Sequence, residues 1–146
     1  MNIIYFVPNI TIAGGIFRIV SDKMNYLAEN MEGRLFLAYY GNGQEKPIYP
    51  LHPNIQLLPI DIEWKVGFGK KINRVWKNIS IIRHIFKKYK IDIAVNANAP
   101  LLIWILPFIC RRIKKIHEFH FSYKGQQILD CLLYTSPSPR DGATSR

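Results

Sequence analysis

Apolar and polar positions change their spacing several times along this chain, from continuous runs to helical periodicity and back. Residues 2–7 form a β-rich run that is apolar from Ile3 onward, the mark of a strand buried on both faces. Pro8-Asn9 ends it, and a loop carrying Gly14-Gly15 follows. Beyond the glycines Ile16, Ile19, Val20, Met24 and Leu27 recur at helical spacing, which predicts an amphipathic helix over 15–30. Arg34 to Tyr40 reads as a second strand, closed by Gly41-Asn42-Gly43. Section 44–68 is irregular and proline-bearing, with one short strand expected from Ile55 to Leu58. The longest helix is predicted over 70–90, with Ile72, Val75, Trp76, Ile79, Ile82, Phe86 and Tyr89 as its apolar stripe. A strand from Ile91 to Val95 follows, then the loop Asn96-Ala97-Asn98-Ala99-Pro100. A buried helix over 101–110 and a strand around Lys115 to Phe119 complete the pattern.

Strands that alternate with helices imply right-handed crossovers. The expected class is therefore α/β, a Rossmann-like, mostly parallel sheet with helices on both faces. In such sheets ligands sit at the carboxyl ends of the strands. Two segments belong there: the Gly14-Gly15 loop and the stretch from His117 to Tyr123.

The final residues change the picture of length. Cys131 to Ser136 match, in order, the codons TGT-CTC-TTA-TAC-ACA-TCT of a transposase-type sequencing adapter, which continues through Pro137-Ser138-Pro139-Arg140-Asp141. Residues 131–146 thus resemble translated adapter read-through and are expected to be a non-native, disordered tail, set apart from fold reasoning. Residues 1–130 are expected to be part of one domain. Without the tail, 18 basic and 9 acidic residues leave a net charge near +9, which favours anionic partners. Only Cys110 remains as a thiol, so no internal disulfide is expected. The start lacks the basic n-region of a signal peptide, and the ten apolar residues 101–110 are too short to cross a bilayer. The expected location is cytoplasmic, with attachment to the inner membrane face as an option.

Three features could carry chemistry. Gly14-Gly15 at a strand-to-helix junction lets backbone N–H groups approach an anion. It is neither a G-x-G-x-x-G nor a Walker loop, and a plain tight turn explains the spacing equally well. His117-Glu118-Phe119-His120-Phe121-Ser122-Tyr123 is the densest polar-aromatic cluster, with 118 and 120 on one face of a strand and 117 and 119 on the other. A histidine past the strand end could bind or deprotonate a hydroxyl, although packed or capping histidines are commoner. The H-x-x-H spacing gives poor support for a metal, and none is expected. His52 and His84 read as surface residues. The helix 70–90 carries eight cations, Lys70, Lys71, Arg74, Lys77, Arg83, Lys87, Lys88 and Lys90, with no acid between them. A solvated surface helix is the plain reading. Contact of Lys70, Lys71, Arg74 and Lys77 with an anionic membrane, aided by Trp76, is the functional one. Nucleic acid is not an expected partner, since a helix that buries its apolar side reads no groove without a further motif.

Taken together, these pieces resemble the amino-terminal domain of GT-B-fold retaining glycosyltransferases of the "family four" type. The resemblance rests on Asn2 to Pro8, on Gly14-Gly15-Ile16-Phe17-Arg18-Ile19-Val20 opening a helix that ends in Leu27-Ala28-Glu29, on Lys90 to Val95, and on Lys115 to Ser122. Phe17 stands where many members have Glu, a departure that separates this chain from one subgroup. The resemblance implies an incomplete amino-terminal half of a GT-B fold, whose partner domain would hold the nucleotide-sugar donor and a paired-glutamate motif. It implies that Gly14, Gly15 and Arg18 approach the donor diphosphate. His120, with His117 as fallback, would contact the transferring sugar or the acceptor hydroxyl. The co-substrate would be a nucleotide-sugar, the acceptor a glycan or lipid-linked molecule, and no cofactor is expected. The fragment itself would be inactive. Residues alone leave two other classes open: a non-catalytic α/β binding module, and a membrane-surface adaptor that works through helix 70–90.

Overall fold

The structure, a computed structural model, describes residues 1–60 and 71–120, without the side chains of 71–75, 100 and 101. Lys70, Phe121 to Tyr123 and the adapter-like residues 131–146 lie outside the described residues, as do the side chains of Lys71 and Arg74. In chain order the elements are β1 (Asn2–Val7), α1 (Gly15–Asn30), β2 (Arg34–Tyr40), β3 (Ile55–Ile60), α2 (Lys71–Lys88), β4 (Ile93–Ala97), α3 (Pro100–Ile105) and β5 (Lys114–Glu118). A single turn of 3-10 helix, Leu106–Phe108, follows α3. The strands form one sheet in the order β3-β2-β1-β4-β5, and every pairing is parallel. The expected Rossmann-like α/β architecture is what the chain adopts.

Alternation along the strands divides the interior into two cores. On one side Ile3, Tyr5, Val7, Leu35, Leu37, Val95 and Ala97 pack with Phe17, Val20 and Met24 of α1. On the other Ile4, Phe6, Phe36, Ala38 and Ala94 pack with Ile82 and Phe86 of α2 and with Leu102, Ile105 and Leu106. Successive side chains of a strand point to opposite faces, so β1 is apolar at every position from Ile3 to Val7 to serve both cores. Its Phe6 meets Phe86 edge-on at 6.2 Å. Each such aliphatic or aromatic side chain stabilises the fold by about 1.5–3 kcal/mol.

Several element boundaries differ from the sequence reading, each for a local reason. The α2 helix does not run into a strand at Ile91, because Lys90 turns left-handed (φ 50) and Ile91 N–H bonds back to Phe86 O at 3.1 Å. This cap places apolar Ile91 on the core, and β4 starts at Ile93. The helix expected over 101–110 is regular only to Ile105. Pro107 lacks an N–H, and its ring excludes a helical carbonyl four residues back; the backbone tightens into the 3-10 turn instead. Strand β3 continues through Pro59 to Ile60, because an edge strand tolerates a missing N–H.

The stripes shift as well. In α1 the inward residues are Phe17, Val20, Ser21 and Met24, while Ile19 is exposed. Trp76, placed in the apolar stripe of α2, is 62% exposed; among the described side chains of this helix, Asn78, Ile82 and Phe86 are the buried ones.

Candidate functional site at the carboxyl edge of the sheet

From β1 the chain moves outward through α1 to β2, and from β4 it moves the other way through α3 to β5. The crevice of such a sheet opens where those directions diverge, between the carboxyl ends of β1 and β4. Three segments reach that edge: the loop from Pro8 to Gly14, the turn from Asn96 to Ala99, and the residues from His117 to His120.

The first loop is fixed at its middle. Ile10 is buried, and its carbonyl accepts Ile48 N–H at 2.9 Å. Asn9 Oδ1 accepts the N–H groups of Thr11 at 2.6 Å and Ile12 at 3.3 Å, a side-chain turn that aims the chain into α1. Gly14 caps that helix with extended backbone (φ −157) and no side-chain hydrogen bond. Neither Gly14 nor Gly15 is demanded by packing, since a Cβ at either position would meet nothing within 4 Å. The glycines leave open room in front of a helix start whose first turn carries no acid. Arg18 is exposed one turn along. Such a terminus offers unpaired N–H groups to an anion.

On the α1 face, Glu118 ends β5 opposite Ala97. Its Oε2 accepts from Lys23 Nζ of α1 at 3.0 Å and from His120 Nε2 at 3.2 Å. This ties α1 to the end of β5. The His120 and Glu118 side chains are largely enclosed, at 13% and 19% exposed, whereas Lys23 is 45% exposed. Tyr5 lies close enough that its hydroxyl pKa is raised, first by burial and then by the Glu118 charge. With Nε2–H given to the carboxylate, the lone pair of neutral His120 resides on Nδ1. An imidazole oriented by a carboxylate is the usual arrangement of a general base.

The opposite face carries a different histidine. Asn96, 2% exposed, accepts Ala99 N–H on Oδ1 at 2.9 Å and donates from Nδ2 to Ala99 O at 3.0 Å. Reversing the amide would set donor against donor, so its orientation is determined. The second Nδ2 hydrogen faces His117 Nδ1 at 3.2 Å, directly across the β4–β5 pairing. His117 Nδ1 must then be an acceptor, which makes the ring neutral with its proton on Nε2. Burial lowers the His117 pKa in the same direction. Asn98 sustains the turn in left-handed conformation (φ 63), which Asn tolerates better than most residues.

The two histidines are thus separated by the sheet. His120 shares its face with α1, and His117 belongs to the α3 face, the alternation predicted for residues 117 to 120. Gly14, Gly15, Arg18, His117 and His120 all belong to the carboxyl edge. Lys77 does not join them in any hydrogen bond; it is an exposed residue of α2. Sequence reasoning missed Asn96, Lys23 and Glu118 as participants. The buried Asn two residues before an Asn-Ala-Pro turn was the one available signal for the first. His52 is more than a surface residue: its Nδ1 accepts Asn54 N–H at 3.2 Å, and its own N–H reaches Asn25 Oδ1 at 2.8 Å. Among the described residues, no three His, Cys, Asp or Glu side chains are placed to hold a metal ion. No known family model matches the chain, and no curated protein matches it in sequence.

Proposed function

We propose that residues 1–130 form the amino-terminal, acceptor-side domain of a retaining glycosyltransferase. It would move a sugar from a nucleotide-sugar to a glycan or lipid-linked acceptor. The observation that carries this reading is the pairing of an open, acid-free helix start at Gly14-Gly15 with a carboxylate-oriented histidine, His120, on the same face of one parallel sheet. The helix start suits a diphosphate, and Arg18 adds a cation. His120 Nδ1 suits a hydroxyl that must be held or relieved of its proton. His117, locked as an Nε2–H donor, suits a neutral oxygen and is unsuited to base chemistry in this tautomer.

The roles of Gly14, Gly15, Arg18 and His120 are assigned by chemistry and by the family resemblance together. The adapter-like residues 131–146 would be foreign to the enzyme, and the donor-binding half would be encoded beyond Asp130. Two measurements test the reading. The genomic frame past Asp130 should encode a second Rossmann-like domain with a Glu-x7-Glu motif; a stop codon or an unrelated domain there defeats the proposal. In that longer protein His120→Asn should lower sugar transfer at least about 100-fold, with donor binding retained. Unchanged turnover would remove His120 from the mechanism.

A further inference from the structure

The face of the sheet opposite α1 has a composition of its own. From residue 71 to residue 117 the sole acid is Asp92, against eleven Lys and Arg. Asp92 is engaged at the amino edge, where its Oδ2 accepts Asn2 N–H at 2.7 Å. Asp22 and Glu29 of α1, and Glu118, belong to the other face. Among the described residues, the α2/α3 elements are therefore strongly cationic, and their one acid, Asp92, lies at the amino edge in a pocket that Arg112 and Lys114 also line.

That side also exposes large apolar groups. Leu102, Ile105, Leu106 and Ile109 turn into the core, which forces Trp104 and Phe108 outward, 61% and 80% exposed. Trp76 of α2 is exposed to a similar degree. Just after Phe108, Cys110 O accepts both Ile113 N–H at 3.1 Å and Lys115 Nζ at 3.0 Å. These bonds close a turn whose two central residues are Arg111 and Arg112, both exposed. A groove lined by Arg83, Phe86, Lys87, Cys110 and Ile113 joins the turn to α2. Cations of α2 thus adjoin the turn that carries Arg111 and Arg112, and that turn follows the outward Phe108 in the chain.

We infer that the α2/α3 face docks on an anionic lipid bilayer, with Trp104 and Phe108 as apolar anchors and Arg83, Lys87, Arg111 and Arg112 as headgroup contacts. Aromatic anchors beside basic residues, on helices lying along one surface, are how a protein sits in a membrane interface. A nucleic acid would use the cations but would leave a phenylalanine at 80% exposure without a role. The inference does not depend on the transferase reading, because it uses neither His120 nor Gly14-Gly15. It also shifts the contact from Lys70, Lys71, Arg74 and Lys77 toward the carboxyl half of α2 and the turn after α3.

The test is sedimentation of the full chain with sucrose-loaded vesicles of phosphatidylcholine alone, or of phosphatidylcholine with 30% (about one lipid in three) phosphatidylglycerol. Binding is expected on the anionic vesicles only. Arg111→Glu with Arg112→Glu should weaken it at least about tenfold, and Trp104→Ser with Phe108→Ser by a similar factor at unchanged charge. The blue shift of tryptophan emission on vesicle addition should shrink in Trp104→Phe. Unaltered circular dichroism in each variant shows that folding is intact. No binding to anionic vesicles, or loss with the arginine pair and none with the aromatic pair, overturns the inference. So does tighter binding to a DNA duplex than to the vesicles.

Discussion

Asn96 Nδ2 stands 3.2 Å from His117 Nδ1, and the same amide is clamped at both ends of Ala99. The pair couples the turn after β4 to the end of β5, and it sets a histidine tautomer through hydrogen bonds alone. Replacing Asn96 by Ala would orphan Ala99 N–H in the interior and leave a small void. The expected loss is about 2 kcal/mol or more of unfolding free energy, read from urea denaturation. Asn96→Asp should keep the Ala99 N–H bond while placing a negative charge beside His117. The ring then becomes easier to protonate, and its NMR titration should move upward relative to the parent protein.

Burial and the Asn96 donor both favour neutral His117, so its folded pKa lies below the ordinary 6.5. In the window between that depressed value and 6.5 the unfolded chain binds more protons than the folded one, and stability falls as pH falls. The contribution is complete above pH 6.5 and is lost on acidification through the folded pKa. His117→Gln, which cannot titrate, should flatten this part of the curve of melting temperature against pH. An unchanged slope would show that another group is responsible.

Two glycines separate functional room from structural necessity. Gly33 has φ +146, and a Cβ there would run into the Met1 carbonyl. Gly33→Ala should cost more than about 1 kcal/mol and lower the melting temperature clearly. At Gly15 the backbone is helical and the added methyl meets nothing. Gly15→Ala should therefore be neutral or stabilising by up to about 1 kcal/mol. On the transferase reading it should still weaken nucleoside diphosphate binding in the longer protein, measured by calorimetry.

The Lys23–Glu118–His120 chain should matter more for chemistry than for stability. Lys23 is nearly half exposed, and ion pairs of that kind contribute about 1 kcal/mol or less. Lys23→Ala should leave thermal stability within a few degrees of the parent. On the transferase reading, Glu118→Gln in the longer protein should lower sugar transfer more than it lowers stability, because an amide orients His120 without stabilising a proton on it. Parallel losses in both would assign Glu118 a packing role.

The sequence alone determined the architecture, because continuous apolar runs and helical periodicity record how many faces each element buries. Strands β1 and β2 and helix α1 have the boundaries that pattern predicts. The two faces of the segment from His117 to His120 were equally legible, since a strand alternates by geometry. What the sequence did not contain was which elements share a face. The outward position of Trp76, Trp104 and Phe108 depends on how α2 and α3 lie on the sheet. Helical spacing marks a stripe but not its width, and it placed Trp76 within that stripe. The partners of the polar residues likewise come from pairings distant in the chain: Asn96 meets His117 only because β5 lies beside β4, and Lys23 meets Glu118 across 95 positions. Local pattern fixes elements; only the folded sheet, by closing long loops at an entropic cost that local contacts do not face, decides which chemistry they bring together.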